Sequence, residues 1–265
     1  MEVISYELLF YGLFIGLIGG AIGGTLAGLA GIGGGLIYVP LFYLTMPGDQ
    51  NGLSMHIMAS LVAVAMTGFF SARAHWRLGH LHKRSLKRLL PGLMIGAAMG
   101  LWSTLQAPAV LILFALACLN GWVSWDLGRG HQVKKTTPLA WMSGPIGYMS
   151  GTLGVGGGTM LVPLLRRTVS LREAVGTSAT CGMLMAVAAV LFNLMLEPTW
   201  RSMISEQLNF LIGAWFGILL MIPKASGWSA YLYTKATETM MQTVLKALFF
   251  VLSLLFFLAT VIALA

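Results

Sequence analysis

Long apolar stretches alternate with short polar interruptions from one end of the chain to the other. The apolar segments fall at about 8–28, 31–45, 52–72, 89–106, 108–127, 139–152, 154–166, 174–196, 207–223 and 242–264. A stretch of about 20 apolar residues is long enough, as a helix, to cross roughly 30 Å of hydrocarbon. The segments 31–45, 139–152 and 154–166 are shorter and punctuated by glycine, which predicts half-helices. The pattern predicts an all-α, polytopic transmembrane bundle with eight to ten full or partial crossings, some of them broken or re-entrant glycine-rich helices. The lipid bilayer is then its surroundings, and a multi-pass place in the cytoplasmic membrane is expected.

Composition agrees. Of 265 residues, 57% are hydrophobic and 9% charged, whereas a soluble domain carries about 25% charged residues. The first apolar stretch follows Glu2 and Glu7, not the basic n-region of a cleaved signal, so no signal peptide is expected.

Gly24–Phe42 (GTLAGLAGIGGGLIYVPLF) can be laid on Gly147–Leu165 (GYMSGTLGVGGGTMLVPLL) at a constant offset of 147 − 24 = 123 residues. Gly31, Gly33, Gly34, Gly35, Val39, Pro40 and Leu41 then meet Gly154, Gly156, Gly157, Gly158, Val162, Pro163 and Leu164. A GxGGG run followed by proline at the same distance, twice, predicts two homologous halves, 1–128 and 139–265, joined by a cytoplasmic linker at 129–138.

Charge orients the halves. Arg73, Arg77, Lys83, Arg84, Lys87 and Arg88 crowd the segment Ala72–Arg88, and Arg129, Lys134 and Lys135 follow in the linker. Both belong inside by the positive-inside rule. In the second half the basic loop comes earlier, at Arg166, Arg167 and Arg172, opposite the Asp49 loop of the first half. The Glu197–Glu206 loop is the counterpart of the first half's basic loop. Opposite bias in corresponding loops predicts inverted-topology repeats with both termini outside. The net charge of +8 is thereby loop charge, and no nucleic-acid partner is expected.

Irregular glycine backbone at membrane depth is tolerated where it is buried in protein or lines a watery cavity. If Gly33, Gly34 and Gly35, and likewise Gly156, Gly157 and Gly158, each open a half-helix, their free N–H groups offer a small anion a site without lysine or arginine. Ser60 and its counterpart Ser178, with Thr177 beside it, are the candidate hydroxyl donors. On the segment 52–72, His56, Ser60, Thr67 and Ser71 share one helix face. Spacings such as Gly12-Gly16-Gly20 and Gly96-Gly100 read instead as helix packing.

Other polar residues carry less. His56 reads as an interfacial histidine, and His75, His80 and His82 as surface residues of a basic loop. Asp126, beside Trp122 and Trp125, reads as a solvated carboxylate, and Cys118 and Cys181 as small hydrophobes. No HExxH, P-loop lysine, GxSxG elbow or paired membrane carboxylate occurs, so no enzyme, cofactor or metal is expected.

The doubled G-x-G-G-G-x-x-x-V-P-L element (Gly31–Leu41 and Gly154–Leu164), the run Ala174–Ser178 and the Trp76–His80 end of the basic loop look like the TauE/SafE family. Its members are regarded as exporters of sulfite, sulfoacetate and related anions. Met58-Ala59-Ser60 stands where that family usually has a small residue followed by Thr-Ser, and His56 where a small residue is usual. The resemblance implies a secondary transporter exporting a small sulfur-containing anion. The alternatives are an anion channel and a membrane-embedded sulfur-handling protein using Cys181.

Overall fold

The computed structural model describes residues 6–30, 34–47, 53–127, 139–235 and 238–264, and every regular element among them is a helix. In chain order these are α1 (Tyr6–Ala30), α2 (Gly35–Thr45), α3 (Ser54–Arg77), α4 (Lys83–Ser103), α5 (Ala109–Leu127), α6 (Leu139–Leu153), α7 (Gly158–Leu165), α8 (Leu171–Leu196), α9 (Thr199–Glu206), α10 (Leu208–Lys235) and α11 (Glu238–Leu264). Six of them, α1, α3, α5, α8, α10 and α11, contain stretches long and apolar enough to cross a membrane. Phe10, Phe14, Phe250, Leu254 and Phe257 stand exposed on the flanks, as lipid-facing side chains do. The expected linker at 129–138 lies outside the described residues, as does Gly33.

Helix ends depart from the hydropathy boundaries in one consistent way. The basic stretch expected as a loop from Ala72 to Arg88 is mostly helix: α3 runs on to Arg77 and α4 begins at Lys83, leaving a turn of only residues 78–82 between them. Hydropathy marks the hydrocarbon layer, whereas a helix continues into the headgroup region, where lysine and arginine extend toward water. The Glu197–Glu206 segment likewise contains α9, whose Trp200 is completely buried.

The most extensive helix pairings are α1 with α10, α4 with α6, α5 with α11 and α3 with α8. Each joins a helix from residues 1–128 to one from 139–265, so the two parts of the chain interleave. Glycine makes the first two pairings possible. A Cβ on Gly12 or Gly16 would strike the carbonyls of Phe210 or Ala214 on α10, and one on Gly96 or Gly100 those of Gly144 or Tyr148 on α6. These glycines serve close packing, as their spacing predicts. The α3 span is the most enclosed of the six, 72% buried against 22% for that of α11, so polar groups on α3 are shielded from lipid and water alike.

Candidate functional site

The described parts of the two glycine motifs open their helices in the same way. Gly34 caps α2 with φ 74° and ψ −6°, and Gly157 caps α7 with φ 67° and ψ −25°. This left-handed conformation is open to glycine and strained for other residues. The Gly34 carbonyl accepts from the N–H groups of Ile37 (2.9 Å) and Tyr38 (3.2 Å), and the Gly157 carbonyl from Leu161 (2.9 Å) and Met160 (3.2 Å). Neither cap supplies a side chain to the first-turn N–H groups, which no earlier turn of helix can satisfy. Gly154 and Gly156, at φ 67° and 69°, complete the turn between α6 and α7.

The motifs touch. A Cβ on Gly35 would lie 2.5 Å from the Gly154 carbonyl oxygen and 2.8 Å from Val155 Cα, and one on Gly154 would lie 2.8 Å from Val39 of α2. Ser60, fully buried on α3, donates its hydroxyl to the Gly154 carbonyl at 2.9 Å, with the Gly35 carbonyl at 3.4 Å. Its single proton is thus committed to motif carbonyls in this conformation, and the residue ties the two motifs together.

The remaining candidates are dispersed. Gly156 backs onto α8, where a Cβ on Gly182 would meet its carbonyl, and Gly157 faces Met185. Gly158 donates to the Gly156 carbonyl at 2.7 Å. Ser178 is completely buried on α8. Thr177 is buried too, but its hydroxyl accepts from the backbone N–H of His82 at 2.9 Å, which places it at the 78–82 turn.

Two hydroxyls that sequence reasoning passed over flank the second motif. Ser150, on the last turn of α6, is 0% exposed and Thr159, on the first turn of α7, is 1% exposed. Neither hydroxyl has a hydrogen-bond partner among the described residues. A helical threonine normally bonds back to the carbonyl four residues earlier. For Thr159 that residue is Val155, which lies before the helix begins. A buried polar group without a partner is uncommon and costs free energy, which makes the Thr159 hydroxyl, at the start of a glycine-capped helix, a candidate ligand contact.

The structure also corrects several readings of polar side chains. His75 is completely buried, not a surface residue. Its Nε2 lies 3.0 Å from the Gly28 carbonyl and its Nδ1 3.2 Å from Nδ1 of His80. Asp126 is 5% exposed and pairs with Arg167 at 3.7 Å, joining α5 to the end of α7 where a solvated carboxylate was expected. Asn193, which nothing in the sequence ranked, is buried and clamps α8 to its neighbours. It donates to the Ala98 carbonyl at 3.0 Å and accepts from the Trp200 indole at 3.2 Å.

A helical chain with six stretches long and apolar enough to cross a membrane among the described residues agrees with the comparisons. The family model for the sulfite exporter TauE/SafE family matches residues 15–260. The chain belongs to the TauE/SafE family. A Haemophilus influenzae protein described as a probable membrane transporter protein is 29% identical over 178 residues, 62% of this chain and 67% of its own length. No solved structure matches. As a TauE/SafE protein the chain is a multi-pass membrane transporter.

Proposed function

We propose that this TauE/SafE protein is a secondary transporter that exports a small sulfur-containing anion, namely sulfite, sulfoacetate or a related organosulfonate, across the cytoplasmic membrane. The anion sits at the first turns of α2 and α7. There it is held by backbone N–H groups of Gly33–Gly35 and of Gly156 and Gly157, the Gly158 N–H being taken by the Gly156 carbonyl, with the positive ends of the helix dipoles behind them. The observation that carries this is Thr159, whose buried hydroxyl has no partner among the described residues and stands beside a helix start that no side chain caps.

The pairing of helices supports two inverted repeats. Exchanging each helix for its counterpart turns the α1–α10 contact into α6–α4, and leaves α3–α8 and α5–α11 as pairs. A relation of that kind lets the halves rock about the crossed motifs and open the site to alternate sides. By the same exchange, Ser178 would serve Gly158 as Ser60 serves Gly35. Such an anion leaves an interior-negative cell downhill, gaining about 2.3 kcal/mol per charge per 100 mV.

Proteoliposome flux against sulfite, sulfate, thiosulfate, sulfoacetate, taurine and chloride tests the reading. Selective movement of sulfite or an organosulfonate is the expected result, and a chloride conductance without saturation would replace the transporter with a channel.

A further inference from the structure

The glycine turn after α3 brings two imidazoles together at the seam between the parts of the chain. Gly79 has φ 75°, the His80 N–H bonds back to the His75 carbonyl at 3.0 Å, and the Gly79 N–H to that of Trp76 at 3.0 Å. This is a Schellman turn, and it folds residue 80 over residue 75. On its other side the turn docks on α8. A Cβ on Gly176 would strike the His80 carbonyl, and the His82 N–H is held by Thr177.

Protonation states follow from the contacts. The Gly28 carbonyl, 3.0 Å from His75 Nε2, can only accept, so Nε2 carries hydrogen. In neutral His75 the Nδ1 is then bare and accepts, and the atom facing it at 3.2 Å, His80 Nδ1, must be the donor. A proton added to the pair leaves one N–H between the two Nδ1 atoms and one positive charge, so the contact survives and becomes charge-assisted. A second added proton places N–H against N–H and breaks it. The Gly28 carbonyl is among the last four of α1, unsatisfied within that helix, and the adjacent Ala27 carbonyl takes the Ser71 hydroxyl at 2.8 Å.

We propose that His75 and His80 form a one-proton site whose loading tightens the turn 78–82 onto α8 and so slows the movement of the halves, making anion transport pH-dependent. This rests on the transporter reading above. The charged and titratable groups around the pair are Arg172 and Glu173 at the start of α8, Arg77 at the end of α3, and His82, whose ring bonds the Ser85 hydroxyl at 2.8 Å. Burial and then Arg172 hold His80 below the ordinary histidine range, against a smaller upward pull from Glu173. His80 is therefore neutral near pH 7 and takes up a proton only in the acid range. The two imidazoles lie at the C-terminal end of α1, where His75 meets Gly28. Their second-half counterparts do not repeat them, since Asn193 stands where His75 does at the offset that pairs Ser60 with Ser178.

Two measurements test the site. Sulfoacetate flux in proteoliposomes is followed with the pH of the 78–82 side lowered from 7.5 to 5.5, a range over which the sulfonate charge is constant. Wild-type flux should fall severalfold. The variants His75→Gln, which keeps a donor for Gly28, and His80→Gln should transport at pH 7.5 and lose that dependence. An acid limb unchanged in both variants would overturn the proposal. Independently of any anion, 15N spectra of the histidines in the detergent-solubilised chain should show His75 with hydrogen on Nε2, His80 with hydrogen on Nδ1, and a single coupled proton uptake. Two imidazoles titrating separately in the same tautomer would overturn it as well. If wild-type protein moves none of the anions, the transport reading fails and the spectra alone decide the proton site.

Discussion

The Ser60 hydroxyl donates to the Gly154 carbonyl across 2.9 Å and 94 residues of sequence. That bond fastens the central helix α3 to the turn that opens α7, and it makes Ser60 a tie between motifs instead of a free ligand donor. Ser60→Ala leaves a buried carbonyl without its partner and should lower stability by about 1–3 kcal/mol. Thermal unfolding in detergent measures it. An unchanged melting temperature would mean that the tie contributes nothing.

Glycine positions divide by what stands opposite them. Gly35→Ala drives a methyl group into the backbone of Gly154 and Val155, which cannot rotate away, and should separate the motifs and abolish transport. Gly144→Ala meets nothing within 4 Å and should be neutral or stabilising by up to about 1 kcal/mol through helix propensity. Melting temperature and flux of the two variants check the contrast.

Gly79→Ala has open space around it but keeps a positive φ. Strain alone should cost about 1–2 kcal/mol. Because the strain falls on the turn that seats His80, the acid limb of the flux profile should also shift.

Fold class, the doubled motif and the packing glycines were legible because apolar length, glycine spacing and a 123-residue offset are linear signals. The sequence did not reveal what depends on a third dimension. Thr159 looks like any threonine until the residue four before it is seen to lie outside the helix. His75 looks like a loop residue until α3 is seen to run past the apolar stretch. One linear signal went unread: Ser170-Leu171-Arg172-Glu173 forms a capping box that starts α8, three residues earlier than hydropathy placed it.

Topology has a direct check. In a background with Cys118 and Cys181 replaced by alanine, cysteines at positions 49 and 201 should react with impermeant reagent from outside, and those at 131 and 168 only from inside. Positions 49 and 168 reacting from the same side would contradict the inverted repeats. The background variant carries its own prediction. Cys181 is completely buried, so Cys181→Ala should leave flux unchanged, and lost flux in a folded protein would restore the sulfur-handling alternative.

The central claim is that the anion is held at the glycine-capped start of α7, and Thr159→Val tests it most directly because the substitution removes the hydroxyl and keeps the shape. Binding of sulfite and sulfoacetate to the purified protein, measured by titration calorimetry, should be about tenfold weaker in the variant, the size of one hydrogen bond to a charged group. Its melting temperature without anion should be equal to or above that of wild type, since an unpartnered buried hydroxyl has been removed. Equal affinity for both anions in the two proteins, or a melting temperature that falls, would contradict the account and return Thr159 and its glycines to packing alone.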